Sequence, residues 1–224
     1  MFPVCGIHMS FRKYLSEFIG TFALVLFGTG AIVINQESGG QITHPGISLT
    51  FGLVVMVMIF ALGDVSGAHL NPAVTLAFAA DSRFPKKDIL PFILSQAMGA
   101  LAASALLKLL FPANELLGST FPSGSVWQSF IFEILLTFFL VLVIFNVSTG
   151  AKEKGITAAI AVGSTVGMEA LFAGPVSGAS MNPVRSLAPA LISGHMEHLW
   201  IYLSAPLTGA LLAVFIHNLL FKKK

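Results

Sequence analysis

Charge is scarce in this chain, and cysteine is scarcer. Charged residues fill 10 % of its 224 positions, with 12 Lys and Arg set against 10 Asp and Glu. The net charge of +2 says little about partners. The cations are scattered through short loops rather than gathered in a stripe, so nucleic acid is not an expected partner. A single cysteine, Cys5, excludes an internal disulfide and a thiolate metal cluster. No short apolar core with a small-residue cleavage site leads the chain, so its first long apolar stretch reads as a retained span. No nucleophile and base converge in any motif; an enzyme, a cofactor and a metal site are all unexpected.

What the chain has in excess is apolar. Hydrophobic residues make up 55 % of it, and several runs are long enough to cross a bilayer. Six spans are expected, at about 11–34, 45–62, 88–110, 127–147, 155–172 and 198–221, after a loose tail over 1–10. The fold class is therefore an all-α membrane protein, with 1–224 as one transmembrane domain.

Two further stretches are apolar but short. Ser66-Gly67-Ala68-His69-Leu70-Asn71-Pro72-Ala73 and Ser177-Gly178-Ala179-Ser180-Met181-Asn182-Pro183-Val184 match at an offset of 111. Each reads as a helix start, with Asn at the N-cap and Pro in the first turn. Each helix is soon cut short, giving half-helices at 71–80 and 182–192. The first rises only about 15 Å, half of a hydrocarbon core of about 30 Å. The repeat extends further: Glu17 and Thr21 in span one recur as Glu133 and Thr137 in span four. Repeats at 11–110 and 127–221, each with three full spans, must run in opposite directions, and paired half-helices in inverted repeats point to a midplane site.

Charge predicts the sidedness. With six spans, both termini and the loops after spans two and four share one side. Arg12, Lys13, Arg83, Lys86, Lys87, Lys152, Lys154 and Lys222 to Lys224 all fall there. Only Lys108 and Arg185 do not. The positive-inside rule makes that side the cytoplasm of an integral protein of the plasma or inner membrane. Lys108 is expected to snorkel to the outer interface.

The physics of the twin motifs points to a pore. Two helix N-termini aimed at one spot act as partial positive charges with free N–H donors. Asn71 and Asn182 each add an amide donor if their oxygens cap the helices. A single-file water held by both cannot easily relay a proton, and cations are repelled. Arg185 sits where the first copy has Val74, and a permanent charge inside a membrane is a functional candidate. The competing reading pairs it with Glu169 or a carbonyl. Glu17 and Glu133 are read as acceptors for the re-entrant loops rather than proton relays. His69 is read as a structural histidine, and Gly163 and Gly167 as helix-packing residues.

These residues resemble the aquaporin, or major intrinsic protein, family over nearly the whole chain. The resemblance implies six spans with two re-entrant half-helices, a pore in each subunit and a homotetramer. It implies a selectivity filter of Phe51, Ala170, Ala179 and Arg185, and half-helix motifs at Pro72, Ala73, Pro183 and Val184. The second motif is Asn182-Pro183-Val184 rather than Asn-Pro-Ala, and Ala170 stands where strict water channels carry His. The run from Leu171 to Ser186 resembles the nodulin-26-like branch, which includes carriers of glycerol and neutral metalloid acids. Ser186 replaces the Asp of typical glycerol facilitators. The expected function is a passive channel in the bilayer for water and small uncharged solutes. A water-selective channel, narrowed by Phe51 and Glu169, is the first alternative. An ion-coupled transporter lacks a carboxylate in the half-helix motifs, and a closed junction protein is a further possibility.

Overall fold

The computed structural model describes residues 5–148 and 154–221. Its elements, in chain order, are α1 (Cys5–Glu37), α2 (Thr43–Ser66), α3 (Pro72–Ala80), α4 (Lys86–Leu110), α5 (Val126–Val147), α6 (Lys154–Ser177), α7 (Pro183–Ser193) and α8 (Leu199–Phe221). Six of them, all but α3 and α7, are long and apolar enough to cross a membrane. Among the described residues there is no strand.

Helix bounds depart from the expected ones at several ends. Helix α1 starts at Cys5, inside the stretch expected to be a loose tail, and α6 runs on to Ser177 rather than stopping near Phe172. Lys152 and Lys222 to Lys224 lie outside the described residues. At the outer end of α4, Lys108 Nζ donates to the carbonyls of Pro112 (2.9 Å) and Asn114 (3.3 Å) and so ties down the loop that follows.

The long helices pair as α1 with α4, α5 with α8, and α2 with α6. Small residues let these backbones approach, as membrane helix packing requires. A Cβ at Gly99 would strike the Phe18 carbonyl of α1, and one at Gly209 the Ile134 carbonyl of α5. A Cβ at Gly52 would lie 2.7 Å from the Gly163 oxygen. Gly52 and Gly163 are repeat partners, so the α2–α6 crossing lies on the axis relating the two halves. Outward faces carry Phe27, Leu94, Phe139 and Phe215, all more than half exposed, as a lipid-facing surface demands. The short helices α3 and α7 close the centre, end against end.

Candidate functional site

The site begins with two loops that must bury backbone at membrane depth. Helix α2 ends at Gly67 in the left-handed region (φ 89°), and α6 is followed by Gly178 in the same conformation (φ 83°). Beyond these glycines the chain turns back through the bilayer, and each exposed N–H there needs an acceptor. Glu17 supplies it for the first loop. Its Oε1 accepts from Ser66 Oγ (2.6 Å) and His69 N (3.0 Å), and its Oε2 from Leu70 N (2.8 Å) and Gln96 Nε2 (2.7 Å). Glu133 does the same for the second, accepting from Ser177 Oγ (2.8 Å), Ser180 N (2.9 Å) and Met181 N (2.8 Å). Both carboxylates are fully buried.

Each loop ends in an asparagine that caps the following half-helix. Asn71 Oδ1 accepts from Ala73 N (2.9 Å), and Asn182 Oδ1 from Val184 N (3.1 Å). With the oxygens so used, the amide nitrogens point across the midplane. Asn71 Nδ2 donates to Met181 O (2.7 Å), and Asn182 Nδ2 to Leu70 O (2.9 Å). The two loops therefore hold each other. An NH₂ group has two hydrogens, so one on each asparagine stays available to the cavity.

That cavity, about 120 Å³, is a narrow duct lined by both asparagines. Along α6 its wall runs from Ala158 to Ala170, a rise of about 18 Å. One end lies at Val147 and Ser148. The other is ringed by Phe51, Ala170, Ala179 and Arg185. Val55, Val162, Val166 and Leu140 make most of the wall between apolar. Arg185 is 1 % exposed to the outside, its Nη1 donates to Gly118 O (2.8 Å), and its guanidinium stacks 5.0 Å from the Phe51 ring centre.

The matched family model is that of the major intrinsic proteins, over residues 7–217. The chain belongs to the major intrinsic protein family. It is 46 % identical to aquaporin NIP1-1 of Zea mays over 93 % of this chain and 74 % of that one. It is 42 % identical to nodulin-26 of Glycine max over 93 % of this chain and 77 % of that one. Its fold matches the aquaglyceroporin from Plasmodium falciparum with a TM-score of 0.82 at 26 % identity, covering 94 % of this chain and 96 % of that one. This major intrinsic protein is a membrane-embedded passive channel for water and small neutral solutes.

Glu169 takes neither place that the sequence suggested for it, and the carbonyl half of the competing reading of Arg185 holds. Arg185 forms no ion pair with Glu169; its partner is the Gly118 carbonyl, and both Glu169 oxygens are buried without a hydrogen-bond partner. Nor does Glu169 narrow the mouth, because it is not among the residues that line the duct. The imidazole of His69 is packed within its own half: Nδ1 lies 3.1 Å from Thr75 Oγ1 and the ring stacks on Phe78 at 4.9 Å.

Other residues of the site escaped the sequence reading. The carbonyls of Leu70 and Met181 are acceptors only because both residues adopt positive φ (52° and 54°), which no motif announces. Gly118, also at positive φ (73°), aims its carbonyl at Arg185 from a loop with no twin. A detectable signal existed for one pair: Thr75 and Ser186 are hydroxyl residues four places after each Asn. Ser186 Oγ pairs with Thr120 Oγ1 (2.7 Å) and Ser180 Oγ (2.6 Å), the second-loop counterpart of the His69–Thr75 contact.

Proposed function

We propose that this channel carries small uncharged polyols or neutral metalloid acids as well as water, while excluding ions and protons. The observation that carries this is the outer ring. Two of its four members, Ala170 and Ala179, contribute only a methyl group, and a third, Phe51, contributes an apolar ring. Such a mouth suits a solute with a carbon backbone on one side and hydroxyls on the other. Arg185 offers donors to those hydroxyls, and Phe51 and the alanines accept the carbon side. The fold match to an aquaglyceroporin supports the polyol side of this class. Ion exclusion rests on the fixed charge of Arg185 and on two half-helix N-termini aimed at Asn71 and Asn182. We further propose a homotetramer in the plasma membrane with both termini cytoplasmic. The support is family membership together with the basic residues Arg12, Lys13, Arg83, Lys86 and Lys87 on the terminal side.

Stopped-flow swelling of proteoliposomes in glycerol, urea and boric acid, beside water, tests the solute class. Glycerol or boric acid flux well above empty liposomes is the expected result. Water flux alone, with every solute at the lipid background, gives the water-selective reading instead.

A further inference from the structure

We propose that the groove between α3, α4 and α8 seats one acyl chain of an anionic phospholipid, with Lys86 holding the lipid phosphate. The groove is an open cleft of about 400 Å³, and it shares no lining residue with the duct. Its existence follows from local sequence. Helix α3 is nine residues long and presents Leu76, Ala79 and Ala80 to the groove, above the fully buried Ala73 and Ala210. The alanine methyl groups cannot reach across to α4. Protein interiors are close-packed, and an apolar gap of this size facing a bilayer is filled by what the bilayer offers.

Depth selects an acyl chain over a smaller ligand. The accessible wall begins at Leu76, in the second turn of α3 and one turn from the midplane asparagines, and Lys86 stands at the face where the half-helix ends. Nine helical residues rise about 13 Å, close to the hydrocarbon depth of one leaflet, about 15 Å. The occupant is a lipid of the leaflet on the side that holds both termini.

Charge selects an anionic headgroup. Lys86 is exposed, lines the rim of the groove and is its one charged residue, while the rest of the lining is Ala, Leu and Ile. The nearby acids are engaged elsewhere: Asp88 accepts from Tyr14 Oη (3.0 Å) and Asp81 pairs with Arg83. Among the described residues, Lys86 itself has no ion pair. A lone ammonium above an apolar slot matches a phosphate above a chain.

The test is native mass spectrometry of the detergent-purified protein titrated with phosphatidylglycerol or phosphatidylcholine. Lys86→Glu should weaken phosphatidylglycerol retention by about fivefold or more and leave phosphatidylcholine little changed. Ala80→Trp should fill the slot and reduce retention of both lipids. Ala80→Leu serves the same purpose if the tryptophan variant does not fold, and unchanged water permeability in liposomes certifies each fold. Equal phosphatidylglycerol retention in wild type, Lys86→Glu and the Ala80 variants overturns the proposal. So does an Ala80 variant that changes the oligomer mass without changing lipid retention, since a second copy of the chain then covers the groove.

Discussion

The two re-entrant loops share a backbone and differ in what fills it. Their conformations match residue by residue: Gly67 and Gly178 at φ 89° and 83°, Ala68 and Ala179 at 46° and 42°, Leu70 and Met181 at 52° and 54°. Non-glycine residues in this region cost about 1–3 kcal/mol each, so the shape is held from outside. Glu17 and Glu133 hold it. The side chains then diverge. The first loop is packed with rings: His69 lies 4.9 Å from Phe78, 5.0 Å from Phe84 and 5.3 Å from Phe92. The second is packed with hydroxyls, Ser180, Ser186 and Thr120, and carries Arg185 where the first has Val74. Symmetry therefore belongs to backbone satisfaction at membrane depth, which both halves need. On the function proposed above, the asymmetry serves selectivity, which one mouth can supply.

The largest effect should come from breaking what the loops share. Glu133→Ala strands two buried N–H groups and a hydroxyl, and Glu17→Ala strands two N–H groups, a hydroxyl and the Gln96 amide. At about 1–3 kcal/mol for each unsatisfied group, either change removes several kcal/mol. Both variants should lose most of the monodisperse fraction in size-exclusion chromatography. A variant of either kind that melts like wild type would show that its loop does not depend on the carboxylate.

Next comes the residue that the halves do not share. Arg185→Val makes the second half-helix resemble the first, with Val74 at the matching place. Cation and proton leak in liposomes should rise about tenfold or more, with water flux within about twofold of wild type, because a fixed charge leaves the mouth. Leak at background in a folded Arg185→Val protein would assign Arg185 a purely structural role through Gly118.

Much of this was legible in the sequence, for a physical reason. Spans, half-helices and their inversion follow from apolar length and from cap chemistry at Asn71-Pro72 and Asn182-Pro183, which are local properties. A carbonyl partner for Arg185 was one of two readings, but which carbonyl was not legible. Gly118 lies 67 residues away in a loop without a repeat partner, and only the folded chain brings its carbonyl to 2.8 Å. Glu169 misled for a related reason: sequence adjacency to Ala170 suggested the duct, but neighbouring residues on a helix face directions about 100° apart. The carbonyls of Leu70 and Met181 depend on backbone angles that side-chain identity does not encode.

A third change tests the mouth against the rest of the duct. Ala170→His places a polar ring opposite Arg185 and Phe51. Each polyol hydroxyl left unpaired there costs about 1–3 kcal/mol, so the ratio of glycerol to water permeability should fall about tenfold. An unchanged ratio in a glycerol-conducting wild type would mean that Ala170 does not restrict the path.

The smallest expected effect sharpens the comparison at its closest point of correspondence. Thr75 and Ser186 occupy matching places, both are fully buried, and neither lines the duct. Thr75 Oγ1 donates to Asn71 O (3.1 Å), lies 3.1 Å from His69 Nδ1 and accepts from Gln96 Nε2 (3.0 Å). Ser186 Oγ instead joins a chain of hydroxyls. Exchanging the two residue types keeps every hydroxyl and changes only a methyl group. Thr75→Ser leaves a small gap among the aromatic rings, and Ser186→Thr forces a methyl into a packed site; each should cost about 1 kcal/mol. In a chain of this length that corresponds to a melting shift of about 2–4 °C. Water and glycerol permeabilities should stay within about 30 % of wild type, well under the tenfold effect of a 1.4 kcal/mol barrier change. The measurement is thermal unfolding followed by stopped-flow permeability on the same preparations. A permeability change beyond about twofold at an unchanged melting temperature would show that the buried hydroxyls tune conduction directly, and the division between a symmetric scaffold and an asymmetric mouth would fall.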